Sequence, residues 1–260
     1  MTNKEYREAE GISRSELFKI SKSPLHFRYA MDNPAEPTPS LIFGQAAHKF
    51  ILEPDSFKEE FAVLPQIDRR TKVGKEAYAE FVMNNADKEI ISMDDMEKIV
   101  DMSRQIDANP TAKALLTGKT EQSFFWTDED TGEKCKCRTD CITEYEGQKY
   151  IVDYKTTDSC EDGHFERSCR KYGYQFQAGM YTEGVFQNTF EDYGFAFVAQ
   201  EKTAPYAVRV YFCDQDYVMQ GYDQFREYIG IYHDCKTTGN WYGYEGAMDL
   251  PTDLIGEGDF

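Results

Sequence analysis

Apolar residues recur every three or four positions over most of the first 118 residues, which is the spacing of amphipathic helices. Ser23 followed by Pro24 is typical of a helix start, because proline fits the first helical position. The prolines of 33–39 predict a loop, and we expect a second loop over most of 53–71. The helices predicted in this part are 13–31 with a break at 21–24, 40–52, 72–87, 93–108 and 111–117.

Shorter apolar runs follow residue 118, and these runs predict strands. Turn sequences at 128–132 and 146–147 divide the first three runs into an antiparallel meander. The predicted strands are 120–127, 133–145, 149–154, 193–200 and 206–213, and the predicted helices are 173–187 and 214–235. This order favours an α/β (α+β) fold with a mixed sheet flanked by helices.

The same order predicts one domain over 1–240, followed by an acidic irregular tail at 241–260. Within the domain we expect a helical N-terminal part at about 1–118 and a core at about 119–235. A composition of 40% hydrophobic and 15% aromatic residues excludes a disordered chain. No apolar run reaches the roughly 20 residues of a membrane helix, and the N-terminus lacks a signal-like apolar stretch. We therefore expect a cytoplasmic protein without a membrane partner.

Acidic residues outnumber basic residues, 47 to 29, which gives a net charge of −18. A phosphate backbone attracts basic surfaces, so this balance argues against a protein that coats DNA. The acid is unevenly distributed, however, because 1–50 is near neutral whereas 241–260 contains five acids and no base. The charge therefore leaves room for an enzyme that holds a DNA end in a confined site with bound cations.

Seven cysteines without a secretion signal are typical of reduced thiols. Cys135, Cys137 and Cys141 share odd positions in a predicted strand, so we expect them on one face. Zinc sites normally add a second cysteine pair or two histidines to such a group, and no second pair is present. Core or surface thiols are the favoured interpretation, and a metal site is the alternative.

Three charged residues lie at neighbouring strand positions. Asp153 and Lys155 are two residues apart near the end of a predicted strand, so their side chains face the same side. A short hairpin turn can bring Asp140 beside them. Two carboxylates favour a cation such as Mg²⁺, which acidifies bound water, while the lysine can orient that water and donate to a phosphate. The alternative is a surface ion pair where the strand leaves the sheet.

Two predicted helices carry further candidates. His48 ends the sequence Gly44-Gln-Ala-Ala-His48 on the inner stripe of its helix, where a hydrogen-bonded core histidine is the alternative. Gln177 and Tyr181 are four residues apart and share a helix face, as ordinary packing residues also do.

Taken in order, Gly-x₃-His, Asp, Asp-x-Lys and Gln-x₃-Tyr resemble the motifs of PD-(D/E)xK nucleases of the RecB-like branch. The sequences around Ser23–Arg28, Leu52–Pro54, Cys137-Arg138 and Thr156-Thr157 are similar to the RecE-like (exonuclease VIII) nuclease domain and its phage relatives. The resemblance covers roughly residues 11–213. It departs from the pattern at Thr139, where the motif has a proline that carries no side-chain chemistry.

The resemblance implies a role for each matching residue. His48, Asp140, Asp153 and the backbone carbonyl of Tyr154 would bind Mg²⁺, with Mn²⁺ as the other candidate. Lys155 would act in catalysis. Gln177 and Tyr181 would border the scissile phosphate or the DNA strand.

Three further residues are candidates for binding DNA or phosphate. Ser23 and Arg28 would hold a 5′-phosphate, with a helix N-cap and a surface arginine as the alternatives. Arg138 would either contact phosphate or pair with a carboxylate. The late cysteine cluster of related iron–sulfur nucleases is missing, so we expect no such cluster.

The implied function is a Mg²⁺-dependent exonuclease that digests linear double-stranded DNA from 5′ to 3′, in recombination or phage DNA processing. The same resemblance implies a homo-oligomeric ring and a single-strand annealing protein as a partner. The alternatives are a non-catalytic DNA-end or protein-binding module on a nuclease fold, a structure-specific endonuclease, and a non-nuclease protein with accidental matches.

Overall fold

Residues 1–244 are described by a computed structural model of the chain. The helices are α1 (Asn3–Glu8), α2 (Arg14–Leu17), α3 (Pro24–Asp32), α4 (Pro39–Leu52), α5 (Phe57–Glu60), α6 (Lys72–Asn84), α7 (Met93–Ala108), α8 (Pro110–Leu115), α9 (Asp162–Tyr172), α10 (Tyr174–Thr189) and α11 (Gln215–Thr238). The strands are β1 (Ile12–Ser13), β2 (Phe61–Leu64), β3 (Glu89–Ser92), β4 (Lys119–Thr127), β5 (Lys134–Tyr145), β6 (Gln148–Thr157), β7 (Gly194–Glu201) and β8 (Val208–Cys213).

The main sheet has the order β1-β5-β6-β7-β8, and β4 pairs with the other side of β5. β1 is parallel to β5 and β6 is parallel to β7, whereas the pairs β4–β5, β5–β6 and β7–β8 are antiparallel. The predicted mixed sheet flanked by helices is therefore confirmed.

β5 changes its neighbour halfway along its length. Its second half pairs with β6 from Tyr145 back to Cys141, whose partner is Val152. Its first half pairs with β1 instead, with Cys135 opposite Ile12. β5 and β6 therefore separate one residue beyond the Cys141–Val152 pair, and Asp140 and Asp153 lie where the strands part.

Helices cover both faces of the sheet. Ile151 of β6 packs with Ala178 and Val185 of α10, whereas its neighbour Val152 packs with Leu52 of α4 on the other face. α10 and α11 approach each other closely, because a Cβ added to Gly179 would lie 2.1 Å from the backbone nitrogen of Tyr222. This packing fixes α10 against the sheet beside the point where β5 and β6 part.

The sequence patterns did not predict some of the short helices and strands. The predicted loop at 53–71 contains α5 and β2, and β2 pairs in parallel with β3. α1, β1 and α9 were not predicted either. Four-residue strands such as β2 and β3 show no alternation, so their pairing is set by packing, with Phe57, Phe61 and Ile91 in one buried cluster.

The predicted acidic tail lies mostly outside the described residues, because the description ends at residue 244. Over 241–244 the chain has no helix or strand, and the carbonyl of Tyr242 accepts a hydrogen bond from the Leu25 nitrogen at 2.9 Å. Among residues 1–244, no helix is both long enough and apolar enough to cross a membrane.

Candidate functional site

A cleft of about 1390 Å³ opens where β5 and β6 separate. Its walls come from α1 and α4, from the strands β4, β5 and β6, and from the junction of α9 with α10. The small β2–β3 sheet borders the far end through Phe61 and Glu89. All predicted members of the Asp140, Asp153 and Lys155 set lie at this cleft or directly beneath it.

Asp153 and Lys155 face the same side of β6, as their spacing predicted. The Lys155 Nζ lies 2.5 Å from Asp153 Oδ2, and the Asp153 side chain is only 2% exposed. Gln177 donates a hydrogen bond from Nε2 to the other carboxylate oxygen, Oδ1. The Lys155 ammonium also lies 5.1 Å from the ring centroid of Tyr174. The acid and the lysine are therefore held from below by the first turn of α10.

Asp140 faces the same opening from β5. Its Oδ2 accepts a hydrogen bond from the backbone nitrogen of Tyr154 at 2.7 Å, which fixes the carboxylate against β6. The same oxygen lies 3.0 Å from His48 Nε2. The Tyr154 ring points away into the core, where its hydroxyl donates to Gln200 Oε1 at 2.7 Å.

His48 reaches Asp140 because α4 lies close to β6. A Cβ at Gly44 would be 3.3 Å from the Thr156 hydroxyl, and Ala46 and Ala47 are fully buried. Small side chains at these positions let the helix approach the strand, and His48 follows one turn after Gly44. The Gly-x₃-His spacing thus has a local structural reason.

Glu121 completes a group of metal-ligating side chains that the sequence motifs did not include. His48, Glu121 and Asp140 offer ligand atoms within 4.8 Å of one another, and within residues 1–244 they form the only such group of His, Cys, Asp or Glu. Glu121 Oε1 lies 3.5 Å from His48 Nδ1. Its backbone has a φ of 54°, a left-handed conformation that costs energy for a residue with a side chain.

Arg138 pairs with a carboxylate, which was one of its two predicted roles. Its Nε lies 2.5 Å from Glu121 Oε2, and its guanidinium lies 5.8 Å from the ring of Tyr6. The side chain also borders the cleft. Arg138 therefore fixes Glu121, and a phosphate contact stays a prediction.

The electrostatics of the group favour a bound cation. Burial raises the pKa of Asp153, and the nearby Asp140 carboxylate raises it further. Burial also raises the pKa of Asp140, but His48 and Lys155 outweigh that effect and hold it below its ordinary value. Burial lowers the pKa of His48, yet Asp140 and Glu121 together raise it to about 9. Each of the two aspartates therefore favours a positively charged neighbour, which is His48 or Lys155 in this structure, and a divalent cation meets the same need.

The donor atoms suit a hard divalent cation. Carboxylate oxygens are the ligands that Mg²⁺ and Mn²⁺ prefer, and an imidazole nitrogen is well tolerated by Mn²⁺. His48, Glu121 and Asp140 come from three different elements, namely α4, β4 and β5, so the fold and not a local loop brings them together. The side chains present therefore fit a divalent metal.

The other predicted site residues are placed as follows. Tyr181 borders the cleft and packs edge-on against Phe195, with ring centroids 6.5 Å apart. Ser23 caps α3, its hydroxyl accepting from the His26 nitrogen at 3.2 Å. Arg28 is exposed and pairs with Asp32 at 2.9 Å. Neither Ser23 nor Arg28 borders the cleft, so their 5′-phosphate role stays a prediction without support from their position.

The three neighbouring cysteines do not assemble into a ligand set. Cys135 and Cys137 are buried in a cluster with Trp126, whereas Cys141 is buried in a different cluster with Val152 and Tyr154. Burial raises the pKa of each thiol, as it does for unreactive core cysteines. The preferred interpretation as core thiols agrees with this packing.

Sequence reasoning missed Glu121, Tyr174 and Arg14. Glu121 was in a predicted strand opposite the strand of Asp140, so the register of that hairpin was the only signal for it. Arg14 donates from Nη2 to the carbonyl of Gly173 at 2.8 Å and to that of Tyr172, and it borders the cleft. No motif or spacing in the sequence indicates these long-range contacts.

Comparisons with known proteins agree with the fold of the chain. A family model described as "PDDEXK-like domain of unknown function (DUF3799)" matches residues 13–251. A crystal structure from Eubacterium rectale, described as a "putative exonuclease", is 17% identical and superposes with a TM-score of 0.59 over 99% of this chain and 98% of that chain. A second structure, SSO0001, is 12% identical and covers 88% of this chain and 83% of that one. Its TM-score of 0.37 is too low to indicate a shared fold. Among curated proteins, no sequence matches this chain. The similarity to the E. rectale protein supports the fold alone.

Proposed function

This chain belongs to the DUF3799 family of PDDEXK-like domains, and on that premise we propose that it is a divalent-metal-dependent exonuclease acting on the ends of linear double-stranded DNA. One observation carries the proposal. Asp140 and the Asp153–Lys155 pair converge where two strands part, beside His48 and Glu121 in a single cleft. This arrangement has the parts that phosphodiester hydrolysis needs.

His48, Glu121 and Asp140 are the side chains that would hold Mg²⁺ or Mn²⁺. Asp153 and the Tyr154 carbonyl stay predicted ligands. When bound, the metal lowers the pKa of a water molecule and offsets negative charge that develops on the phosphate. Asp140 and Asp153 repel each other in this buried setting, and a bound cation would add to the compensation that His48 and Lys155 provide.

Lys155 supplies a positive charge next to these acids. Its ammonium is fixed between the Asp153 carboxylate and the ring of Tyr174, so its donors are oriented before substrate arrives. A lysine in this position can orient an attacking water and donate to a phosphate oxygen as charge builds up. Gln177 fixes the carboxylate that holds the lysine, and Tyr181 borders the space the strand would occupy.

The charge distribution suits a DNA end better than a long duplex. The chain as a whole has a net charge of −18, whereas the cleft is lined by eight basic and nine acidic side chains and is close to neutral. A near-neutral cleft repels a phosphate backbone less than the acidic outer surface does. The description of the E. rectale protein as an exonuclease is consistent with this choice.

The finer parts of the proposal rest on the RecE-like resemblance of the motifs. They are digestion from 5′ to 3′ with release of nucleotides carrying a 5′-phosphate, and a role in recombination or phage DNA processing. They also include a homo-oligomeric ring and a single-strand annealing protein as a partner. A ring would place the basic cleft residues inward and the acidic surface outward.

The test uses linear duplex DNA labelled at one 5′ or one 3′ end, and closed circular DNA of the same sequence. Reactions contain Mg²⁺, Mn²⁺ or EDTA with the wild type, Lys155→Ala, or the control Lys149→Ala. Lys149 lies on the same strand but pairs with Glu191 on the surface, so its loss should leave activity intact.

We expect nucleotide release from linear DNA with metal only, no cutting of circles, and near-complete loss in Lys155→Ala. Whether the 5′ label or the 3′ label is released first gives the direction of digestion. Cutting of closed circles would replace the exonuclease with an endonuclease. A folded protein that hydrolyses neither DNA with either metal would overturn the catalytic proposal in favour of a binding module.

A further inference from the structure

Two tyrosine rings lead along the cleft wall away from Lys155. The Lys155 ammonium lies 5.1 Å from the centroid of Tyr174, and the Tyr174 ring stacks on Tyr172 with centroids 5.9 Å apart and planes inclined by 28°. Both rings border the cleft, and Tyr172 is 47% exposed. Tyr174 thus lies between Lys155 and Tyr172, and the exposed Tyr172 ring is contacted by Tyr174 and by the Lys171 ammonium.

We propose that Tyr172 is a stacking platform for one nucleobase of the DNA strand held at the site. This inference rests on the proposed nuclease function and adds to it a base-binding position next to the reacting phosphate. Nothing in the Gly-x₃-His, Asp-x-Lys or Gln-x₃-Tyr motifs includes this residue.

The backbone beneath Tyr172 is held rigidly. The Arg14 guanidinium donates to the carbonyl of Tyr172 and, at 2.8 Å, to that of Gly173. Gly173 has a φ of 63°, and a Cβ there would lie 2.1 Å from the Phe18 ring, so only glycine allows this turn between α9 and α10. Because the turn is already fixed, stacking on it costs little conformational entropy.

The surroundings of the ring select a nucleotide over an uncharged apolar group. The Lys171 ammonium lies 5.1 Å from the Tyr172 centroid, and Lys155 lies beyond Tyr174. A nucleobase that stacks on the ring takes the place of the exposed Lys171 ammonium, which can then meet a phosphate of the same nucleotide. Every base has a π face, so such a platform tolerates any sequence, which is what digestion of arbitrary DNA requires.

Exposed aromatic rings are common on protein surfaces, so the position of Tyr172 carries the argument. Phe190 provides the contrast, because it is 80% exposed but does not border the cleft. Phe190→Ala is therefore the matched control, because it shows how loss of an exposed aromatic ring outside the cleft affects DNA binding and hydrolysis.

The experiment combines protein variants with abasic DNA. Linear duplexes carry one abasic nucleotide at the first, second, third or fourth position from the end that is digested. The wild type, Tyr172→Ala, Tyr172→Phe and Phe190→Ala are compared for KM and kcat with Mg²⁺. The same substitutions are also combined with Lys155→Ala. The affinity of these double variants for the duplexes is measured by fluorescence anisotropy, which does not need hydrolysis. Thermal unfolding checks that each variant is folded.

For the wild type we expect an abasic nucleotide at one position to raise KM about 10-fold with kcat little changed, within the range for loss of one base–aromatic stack. Tyr172→Ala should show that increase on intact DNA and no further increase at that position. Tyr172→Phe and Phe190→Ala should behave as the wild type.

The platform is disproved if Tyr172→Ala weakens every abasic substrate by the same factor as intact DNA, or if Tyr172→Phe is as weak as Tyr172→Ala. Unchanged KM and duplex affinity in Tyr172→Ala would also disprove it. The outcome is separable from the proposed function, because wild-type hydrolysis tests catalysis and the Lys155→Ala series tests base stacking through binding.

Discussion

Gln177 donates a hydrogen bond to Asp153 across the interface between α10 and β6. Tyr174, three residues earlier on the same helix turn, lies against the Lys155 ammonium. Gln177 and Tyr174 share one face of α10, and Asp153 and Lys155 share one face of β6. The two helix residues therefore fix the acid and the lysine together. The geometry of the candidate site thus depends on how α10 packs against β6.

The contact between Gln177 and Asp153 predicts a defect in Gln177→Leu. The substitution keeps the side-chain volume but leaves the buried carboxylate without its donor, so both metal affinity and kcat should fall about 10- to 100-fold. Metal titrations of the hydrolysis rate check this. Gln187→Leu is the control, because that amide lies on the same helix and bonds only to Glu183 in the described contacts. A Gln177→Leu enzyme with the wild-type metal midpoint would show that the donor has no role in the site.

Glu121 should matter for metal binding although no motif contains it. Glu121→Gln keeps the shape and removes the charge that lies 3.5 Å from His48, so half-maximal activity should need about 10- to 100-fold more Mg²⁺. Addition of metal should also raise the melting temperature less than in the wild type.

The control for this substitution is Glu89→Gln, an exposed acid at the far end of the same cleft. Equal metal requirements in the wild type, Glu121→Gln and Glu89→Gln would remove Glu121 from the ligand set. A strong effect of Glu89→Gln alone would instead indicate that metal binds at the far end.

The crossing of α10 and α11 predicts a stability defect in Gly179→Ala. The added Cβ would lie 2.1 Å from a backbone nitrogen, so the helices must move apart and we expect a loss of at least about 3 kcal/mol in unfolding free energy. Gly230→Ala on α11 meets open space and should stabilise by about 0.5–1 kcal/mol through helix propensity. Urea denaturation measures both. Comparable effects of the two substitutions would contradict the close helix contact.

Asp128, which does not border the cleft, should make the free energy of unfolding depend on pH. Burial raises its pKa, but hydrogen bonds from Thr131 and Arg226 outweigh burial and lower it. A carboxyl whose folded pKa lies below its unfolded value stabilises at neutral pH, and that stability disappears as the pH falls through the folded pKa. Asp128→Asn should therefore cost about 1.5–3 kcal/mol at pH 7 and progressively less below about pH 4.

Denaturation of the wild type and Asp128→Asn at several pH values measures this difference. Asp130→Asn is the control, because its side chain pairs with the same Arg226 but is 80% exposed. Exposed pairs contribute about 0–1 kcal/mol, so its effect should be small. A pH-independent cost of Asp128→Asn would mean that the turn needs the residue's shape and not its charge.

The sequence sufficed for those parts of the site that depend on local geometry. Asp153 and Lys155 share a strand face because of their spacing, and His48 follows Gly44 by one helical turn, so both placements could be predicted. The placement of Glu121 could not be predicted, because the direction of its side chain depends on a left-handed backbone conformation and on the β4–β5 register. The contacts of Arg14 join positions more than 150 residues apart, which no local pattern encodes.

The pairing of β1 with β5 has a consequence for synthesis of the chain. The partner of Ile12, Cys135, is made about 120 residues later, and Gln177 follows later still. At about 5–20 residues per second, the N-terminal segment waits roughly 6–24 s on the ribosome before β5 emerges. A nascent chain that ends before β5 therefore lacks three walls of the cleft, namely β5, β6 and the α9–α10 junction. The proposed activity can appear in the cell only after translation has passed α10.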